Sequence, residues 1–446
     1  MFQWGVSSEP AHHHPLPALT RLRSLLFARP ALWSRAESGL KSAAAFGIPA
    51  ALAVAAGHPH EALFATFGAF AVLYGDGRPI RVRTSLVAIA GAALLLATWL
   101  GAATGHAVLG RAHAPLVMAA LLTAVAALAA WVVTALRSGP PGALFFVLVC
   151  SAALAAAHGG APVGRIVEFA CYGVVSALAV TAASVLADRL RGAGWERPAV
   201  PSVAYRLRRG LSPHSHALTT TARVVTACGV AGGIGVAIGS LRPYWAIIAA
   251  VVILANGPDR VRGHARAIHR FAGTAVGLVL FAGLYALNPS GYMLVALLAA
   301  LMFAIELFIV GNYAVAVLFI TPTALLTGGA GAAHGSTALM MRDRFIETII
   351  GVTVAAVCLN IVARRAHRRG LWWTAERVRA TAARLESAGA DSARDLADSL
   401  NFELTGHLNA GMDCAHNDSA WVRDHWDEHM ALVGRGRDLV AATATR

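Results

Sequence analysis

The chain has 446 residues, of which 57% are hydrophobic and only 13% are charged, and its mean hydropathy is +0.60. A soluble protein of this length carries far more charge, which excludes a soluble enzyme or binding module. The formal net charge of +14 would suit a nucleic-acid binder. Basic residues also collect in the cytoplasmic loops of membrane proteins, so we expect a lipid bilayer and no nucleic acid as partner.

Apolar runs separated by Gly, Pro and Asn turn signals predict twelve membrane-spanning helices. In the first half they lie near 40–56, 61–75, 84–105, 114–135, 141–158 and 165–187. In the second half they lie near 217–239, 243–256, 267–287, 291–310, 313–328 and 343–363. The predicted fold is an all-α polytopic membrane protein of about 12 transmembrane helices, because most runs approach the length that crosses a bilayer.

Five regions follow from these spans and from the composition between them. They are a cytoplasmic N-terminal segment (1–39), a first six-helix module (40–187), a cytoplasmic linker (188–216), a second six-helix module (217–363) and a cytoplasmic helical region (364–446). The last region has helical periodicity and a net negative charge, so a solvated helical appendage is expected. His425 and His429 are spaced four apart within it, but surface helices often show this pattern, and we expect no metal and no cofactor.

The distribution of Lys and Arg predicts the orientation. With the N-terminus inside, 23 of the Lys and Arg residues counted up to residue 369 fall on the inner side and 5 on the outer side. The N-terminus, the linker and the C-terminus are therefore predicted to be cytoplasmic, in a plasma (inner) membrane. The first 35 residues have no apolar stretch with a cleavage site, so no signal peptide is expected.

Matching residues recur in the two halves in the same order. The pairs at an offset of 182 are Lys41 and Arg223, Gly47 and Gly229, Gly57 and Gly239, Gly91 and Gly273, and Gly101 and Gly283. Asp76 and Asp259 match one residue later, and both are expected to cap a helix or to pair with a nearby Arg. The common order indicates an internal duplication. Each half has six spans, so the halves are predicted to be parallel repeats.

One short motif begins the last predicted span of both modules, on the outer side. It reads GRIVEFACYG in the first module and RDRFIETIIG in the second. Arg165 and Glu168, like Arg344 and Glu347, lie three residues apart on one helix face and can form an ion pair. Such a pair would fix the depth of the helix. In a second interpretation the two Glu residues flank the transport pathway and take up protons.

Spans two and eight are short, and spans five and eleven are interrupted. The bracketing or interrupting segments are His58-Pro59, Gly75-Asp76-Gly77-Arg78-Pro79, Pro140-Pro141-Gly142, Arg242-Pro243, Asn256-Gly257-Pro258-Asp259 and Thr321-Pro322. Broken helices at matching places in two halves are a feature of transporter binding sites.

Two cations near the cytoplasmic starts of spans one and seven are candidate substrate-binding residues. Lys41 and Arg223 would form a symmetric pair that attracts an anion, because a buried cation is costly and seldom without a role. The alternative is that both side chains reach the lipid headgroups. Tyr244, Trp245 and Asn312 are further predicted substrate contacts, although aromatic residues at a membrane edge also form an interfacial belt.

Glu306 lies deep in span ten and has no acidic counterpart in the first half. It is predicted either to couple transport to protons or to be a neutral, hydrogen-bonded group.

The stretch YWAIIAAVVILANGPDRVRGHARAIHRFAGTAVG, from Tyr244 to Gly277, resembles the fusaric-acid-resistance-like (FUSC) superfamily. An aromatic-Trp start, a short apolar span, a Pro-Asp turn and Gly-Thr before the next span carry the likeness, and RDRFIETIIG resembles the closing helix of that module. The first half retains Gly91 but lacks the Trp and the Gly-Thr. The superfamily includes aromatic carboxylic acid exporters and plant aluminium-activated malate transporters. The resemblance implies six-helix modules acting in pairs, with a cytoplasmic helical region.

The predicted function is therefore export of small organic anions, with aromatic carboxylates as the substrate class and with proton coupling through Glu306, Glu168 or Glu347. The alternatives are a passive organic-anion channel and a membrane scaffold that binds a partner through its C-terminal helices. An enzyme is not expected, since the sequence has no HExxH, no G-x-S-x-G near His and Asp, and no paired-acid metal motif. One chain holds two modules, so a monomer or a homodimer is expected.

Overall fold

A computed structural model describes residues 18–28, 35–139, 141–195, 199–239, 244–255, 257, 259–329 and 337–444. Every regular element in these ranges is helical, which confirms the all-α class. The first half contains α1 (Ala18–Leu26), α2 (Ala36–Ala55), α3 (Ala65–Ala69), α4 (Ile80–Ala107), α5 (Ala114–Leu136), α6 (Leu144–His158), α7 (Val163–Leu190) and α8 (Val203–Gly210). The second half contains α9 (His216–Ala237), α10 (Tyr244–Leu254), α11 (Arg260–Ala286), α12 (Gly291–Phe308), α13 (Tyr313–Gly329) and α14 (Thr337–Ile361). Three further helices follow: α15 (Ala366–Glu386), α16 (Ala390–Asn417) and α17 (Ser419–Ala444).

Each predicted span coincides with a helix in the described ranges. Eight of these helices, α2, α4, α5, α7, α9, α11, α12 and α14, are long and apolar enough to cross a membrane. The remaining spans are the shorter apolar helices α6, α10 and α13, and the segment Glu61–Gly75, in which 3₁₀ turns flank α3. The protein is a polytopic helical membrane protein, and the count of twelve crossings stays a prediction.

The same pairs of helices pack together in both halves. In the first half α7 packs on α2, α3 and α4, and α4 also packs on α6; in the second half α14 packs on α9, α10 and α11, and α11 also packs on α13. The helix of the fourth span in each module packs on the first span of the other module: α5 packs on α9, and α12 packs on α2. A duplicated module related by a twofold axis would produce this pattern, and the duplication itself stays a prediction.

The glycines that end the two Arg-x-x-Glu motifs mark a close backbone approach in each half. A Cβ atom at Gly173 would lie 2.0 Å from the carbonyl oxygen of Ala65, and one at Gly351 would lie 2.3 Å from that of Ala246. Only a residue without a side chain allows the last helix of each half to touch the backbone of the short helix. The motif therefore joins the two elements that position the site.

The C-terminal region is a three-helix bundle docked against the rest of the chain, so the expectation of a solvated appendage is wrong. Glu403 on α16 is buried, and its Oε1 accepts hydrogen bonds from the Tyr205 hydroxyl at 2.6 Å and from Arg377 Nη2 at 3.1 Å. Arg209 Nε lies 3.4 Å from the same oxygen. The Arg137 guanidinium lies over the Phe402 ring, 3.6 Å from its centroid. A buried carboxylate needs such donors, and here the linker helix α8 supplies two of them.

Several predicted features lie outside the described residues. They are residues 1–17 and 29–34 of the N-terminal segment, Pro140 of the turn before span five, Arg242-Pro243 before span eight, and Asn256 and Pro258 of the turn after it.

Candidate functional site

The Arg-x-x-Glu motif of the first module forms a partly exposed polar cluster. Arg165 Nη1 donates to Glu168 Oε2 at 2.9 Å, and its Nη2 lies 2.9 Å from His58 Nδ1. The Tyr172 hydroxyl donates to the other Glu168 oxygen at 2.9 Å. The Arg165 side chain is 33% exposed. These contacts match the predicted ion pair.

The same motif in the second module is buried against an aromatic pair. Arg344 is 1% exposed, and its guanidinium lies 3.7 Å from the centroid of the Trp245 ring. Glu347, also 1% exposed, accepts a hydrogen bond from the Trp245 backbone N–H at 3.2 Å. The rings of Tyr244 and Trp245 are 5.2 Å apart. The structure therefore brings four predicted site residues together.

Three residues that were not predicted complete this arrangement. Arg270 on α11 is 1% exposed and lies close enough to Arg344 for the two guanidinium groups to repel each other. Tyr313, at the start of α13, and Thr274, one turn beyond Arg270, have buried hydroxyl groups. We call Tyr244, Trp245, Arg270, Thr274, Tyr313, Arg344 and Glu347 the buried arginine cluster. A sequence signal for Arg270 was available, because Arg266 and Arg270 lie four residues apart, on one face at the start of an apolar helix.

Several donors in the buried arginine cluster have no hydrogen-bond partner. Among the described residues this holds for Nε of Arg270, Nε and Nη1 of Arg344, and the hydroxyl groups of Tyr313 and Thr274. An unpaired polar group in a low-dielectric interior costs free energy, and an uncompensated charge costs more. Unsatisfied donors around two cations indicate a place for an anion.

The buried arginine cluster lies within the predicted membrane. Arg270 is about 15 Å along α11 from Arg260, and Arg344 is about 10 Å along α14 from Thr337, at 1.5 Å per residue. In the predicted topology these two helices start on opposite faces of the bilayer, so their arginines approach each other from opposite sides.

Among its described residues the first module has no equivalent cluster. At the offset of 182, Ala62, Leu63 and Ala88 stand where the second module has Tyr244, Trp245 and Arg270. The two halves share their packing but differ in the chemistry of their interiors.

Glu306 belongs to a different network, on the predicted cytoplasmic side. Its Oε2 accepts a hydrogen bond from Arg35 Nη2 at 2.8 Å, and Arg35 also pairs with Asp76. Ser38 Oγ donates to Asp76 Oδ1 at 2.7 Å. Asp76 thus pairs with an Arg, as predicted. Glu306 is hydrogen-bonded to a cation, and both predicted roles, proton coupling and a neutral hydrogen-bonded group, stay predictions.

Lys41 and Arg223 have separate partners on separate helices. Lys41 pairs with Glu37 one turn earlier on α2, at 2.6 Å. Arg223 is 3% exposed and donates from Nε to the Val362 carbonyl at 3.1 Å. Arg223 is therefore held inside the protein rather than extended to the headgroups. The predicted symmetric pair consists of one ion-paired Lys and one buried Arg.

Asn312 contacts the backbone of two other segments. Its Oδ1 accepts from the Ala314 N–H at 3.1 Å and so caps α13, and its Nδ2 donates to the Ala28 carbonyl at 3.3 Å. The residue ties the segment after α1 to the start of α13, next to Tyr313. In the described part of the chain no group of three or more His, Cys, Asp or Glu side chains is arranged to hold a metal ion.

Comparison with known protein families gives a match within the second half of the chain. Residues 227–358 match the family of fusaric acid resistance protein-like proteins. The second module is therefore similar to this family. The matched residues include the whole of α10 to α13 and most of α14, and with them every member of the buried arginine cluster. The resemblance noted from Tyr244 to Gly277 is therefore confirmed at the level of the family.

Two curated proteins are similar to part of this chain, and both are described as uncharacterized. The chain is 32% identical over 171 residues to the uncharacterized membrane protein YvaC of Bacillus subtilis, covering 37% of this chain and 26% of that protein. It is 29% identical over 211 residues to the uncharacterized protein YhfK of Escherichia coli, covering 45% of this chain and 28% of that protein. The chain thus matches little more than a quarter of the length of either relative. No solved structure matches it significantly.

Proposed function

We propose that this chain is a plasma-membrane transporter that exports small organic anions, with aromatic carboxylates as the substrate class. The observation that carries the proposal is the pair of buried guanidinium groups, Arg270 and Arg344, whose donors are partly unsatisfied. Two like charges held together away from water are costly, and a bound anion offsets that cost. The match to the fusaric acid resistance-like family adds support, because the matched residues include both arginines.

A carboxylate fits these donors better than a halide does. A guanidinium group presents its N–H donors as a planar fork that matches the two oxygens of a carboxylate. The Tyr313 hydroxyl supplies a third donor nearby. The rings of Tyr244 and Trp245 offer an edge and a face to a second ring. These groups favour an aromatic acid over an aliphatic acid of the same charge.

Access to the cluster requires motion between the two modules. The fourth helix of each module packs on the first helix of the other, so a tilt of one module against the other changes both contacts together. Movement of two repeats around a central site is the usual means of alternating access in transporters.

Flux of radiolabelled benzoate in proteoliposomes tests the proposal. Arg270→Gln and Arg344→Gln should each reduce flux by about tenfold or more, because a charge-assisted hydrogen bond to the anion is lost. Arg165→Gln is the matched control, since Arg165 is the repeat counterpart of Arg344 but lies in the partly exposed cluster. Equal losses in all three variants, or wild-type flux in the two cluster variants, would contradict the proposal.

Coupling of transport to a proton gradient is a second part of the proposal and needs a separate measurement. Glu306, Glu168 and Glu347 are the candidate groups, and the triple Gln variant should transport benzoate without any response to an imposed pH gradient. An unchanged response would remove all three from a coupling role. A voltage-dependent benzoate current without a proton gradient would favour a passive channel.

A further inference from the structure

The two modules differ at their predicted cytoplasmic ends. In the first module a cavity of about 260 Å³ opens beside Lys41 and Asp76. Its other charged lining groups include Arg35, Arg83 and Asp188, so the cavity is polar and accessible to water. We call this the first mouth.

The corresponding end of the second module contains the repeat partners of those residues, Arg223 and Asp259. Asp259 caps α11, accepting from the Val261 N–H at 2.9 Å, as predicted. Both residues are buried, with Arg223 3% exposed. Cys358, on the last turns of α14, is buried close enough to Arg223 for electrostatic interaction. We call the buried site formed by Arg223, Asp259 and Cys358 the second mouth.

Helix α16 of the C-terminal bundle covers the second mouth. His416 Nδ1 lies 3.3 Å from Asp259 Oδ2. Three residues earlier, Asp413 Oδ2 lies 3.8 Å from His216 Nε2 at the start of α9. Asp413 and His416 are buried in this contact. A carboxyl group of the chain itself therefore lies where an anion must pass to reach Arg223.

We propose that α16 is a plug, and that it must leave the second mouth before an anion can enter from the cytoplasm. The inference rests on the proposed transport function, because it concerns the predicted cytoplasmic entrance of the second module. The plug and the anchor lie on one helix: Glu403 is fixed to α8 and α15, and Asp413 is about 15 Å further along α16. The bundle joins α14 through Ala363, whose left-handed backbone (φ 55°) marks a sharp bend. Rotation of the bundle about this connection and the Glu403 anchor would withdraw Asp413.

The charges around Asp413 make the plug sensitive to pH. From α9 it faces His216 and Arg223, and from α11 it faces Asp259 and Arg262. Its own helix contributes Cys414 and His416. On α15, Arg368 forms an ion pair with Asp418. On α17, His429 is hydrogen-bonded to His407.

Burial raises the pKa of Asp413, and the neighbouring Asp259 raises it further against the opposing effect of Arg262 and Arg223. A pKa that is higher in the docked state than in the free state favours docking at low pH. Docking then weakens as the pH rises through the docked value. A rise in pH therefore weakens the docking of α16 through the ionisation of Asp413.

The test uses the full-length protein in nanodiscs and a readout that does not depend on transport. In a His416→Cys protein, a water-soluble maleimide should modify the new thiol slowly, because this side chain of α16 is buried against Asp259, with the product measured by peptide mass spectrometry. Adding Asp413→Lys brings a third cation against Arg223 and Arg262 and should expel α16. The thiol of His416→Cys should then react about tenfold faster or more, in line with local opening of a docked helix. Adding Asp438→Lys instead makes the same charge change on an exposed site of α17 and should leave the rate unchanged.

A second variant guards against misfolding. Asp413→Asn keeps the shape of the side chain but cannot ionise, so the docking of α16 should weaken less than in the wild type as the pH is raised. Hydrogen exchange of the α16 amides, corrected for the intrinsic effect of pH, measures this difference. Equal exchange in both proteins at every pH would overturn the pH-dependent weakening.

Benzoate flux in the same variants separates the plug from the proposed function. Faster modification of His416→Cys together with higher flux after Asp413→Lys is added supports both. Faster modification with no benzoate flux in any protein supports the plug and overturns the transport function. An unchanged modification rate of His416→Cys after Asp413→Lys is added overturns the plug, whatever the flux.

Discussion

The guanidinium group of Arg344 lies 3.7 Å from the centroid of the Trp245 ring, and both side chains are buried. The same Trp245 donates its backbone N–H to Glu347, one turn along α14 from Arg344. One residue at the start of a short helix is thus held by both members of the Arg-x-x-Glu motif. Cation–π contacts gain strength when water is excluded, to about 2 kcal/mol.

Replacement of Trp245 tests this contact. Trp245→Phe keeps an aromatic face under Arg344, whereas Trp245→Leu removes it. We expect Trp245→Leu to lower the free energy of unfolding by about 2 kcal/mol more than Trp245→Phe. Thermal unfolding in detergent, at equal protein and detergent concentration, measures the difference. Equal losses in the two variants would mean that Arg344 gains nothing from the ring.

Two glycines of the second module should respond differently to substitution by Ala, because only Gly351 lies at a close helix crossing. Gly351→Ala places a Cβ atom 2.3 Å from the Ala246 carbonyl oxygen, a backbone atom that cannot move aside. We expect a loss of about 3 kcal/mol, or failure to fold, because the helices are forced apart. Gly283→Ala on α11 meets nothing within 4 Å. It should be neutral or stabilise by up to about 1 kcal/mol, because Ala favours a helix. Thermal unfolding of both variants checks the contrast.

Arg35 is predicted to contribute more to stability than Glu306 does. Arg35→Gln leaves two carboxylates, Glu306 and Asp76, without their shared cation, and the first of these is buried. Breaking a buried pair in this way costs about 3–5 kcal/mol. Glu306→Gln leaves Arg35 paired with Asp76 and should cost clearly less. Chemical denaturation of the two variants gives the order, and the reverse order would show that Glu306 has other partners in solution.

The C-terminal bundle should lose stability as the pH falls below 6.5. His407 Nε2 lies 2.8 Å from His429 Nδ1, and the Thr374 hydroxyl lies 3.0 Å from His407 Nδ1. Burial lowers the pKa of His407 to about 3 and that of His429 to about 4. Between pH 6.5 and these values the unfolded chain binds protons that the folded bundle does not. Each His therefore removes about 2 kcal/mol of stability by pH 5.

Hydrogen exchange of the α16 and α17 amides in the full-length protein, corrected for the intrinsic effect of pH, checks this result. His429→Gln cannot take up a proton and should reduce the acid sensitivity. His425→Gln, four residues earlier on the same helix, should retain it. An identical pH response in all three proteins would exclude the histidine pair as the cause.

The predicted orientation is open to direct labelling. Arg111 lies in the exposed loop between α4 and α5, on the predicted outer side, and Arg191 lies in the exposed linker, on the predicted inner side. In a background without native cysteines, a membrane-impermeant maleimide should label Arg111→Cys in intact cells. Arg191→Cys should react only after permeabilisation. The opposite pattern would reverse the topology and would place the C-terminal bundle outside.

The class of this protein and the positions of its helices follow from the sequence alone. Its apolar runs are long and its charges few, and in a bilayer the backbone must form its hydrogen bonds within each segment. Helix positions therefore depend on local composition, which a sequence displays directly. The family likeness was also local, since it lies within the contiguous stretch from Tyr244 to Gly277.

The tertiary structure alone decided which charges are buried and which residues meet. Arg165 and Arg344 occupy the same motif, yet one is partly exposed and the other lies under Trp245, because the short helix of the second module supplies an aromatic pair where the first supplies Ala and Leu. Arg35 and Glu306 are 271 residues apart and pair only in the folded chain. The docking of α16 likewise depends on contacts from four separate segments. Such long-range pairing leaves no periodic signal in a single sequence, which is why Arg270 and Asp413 were not predicted.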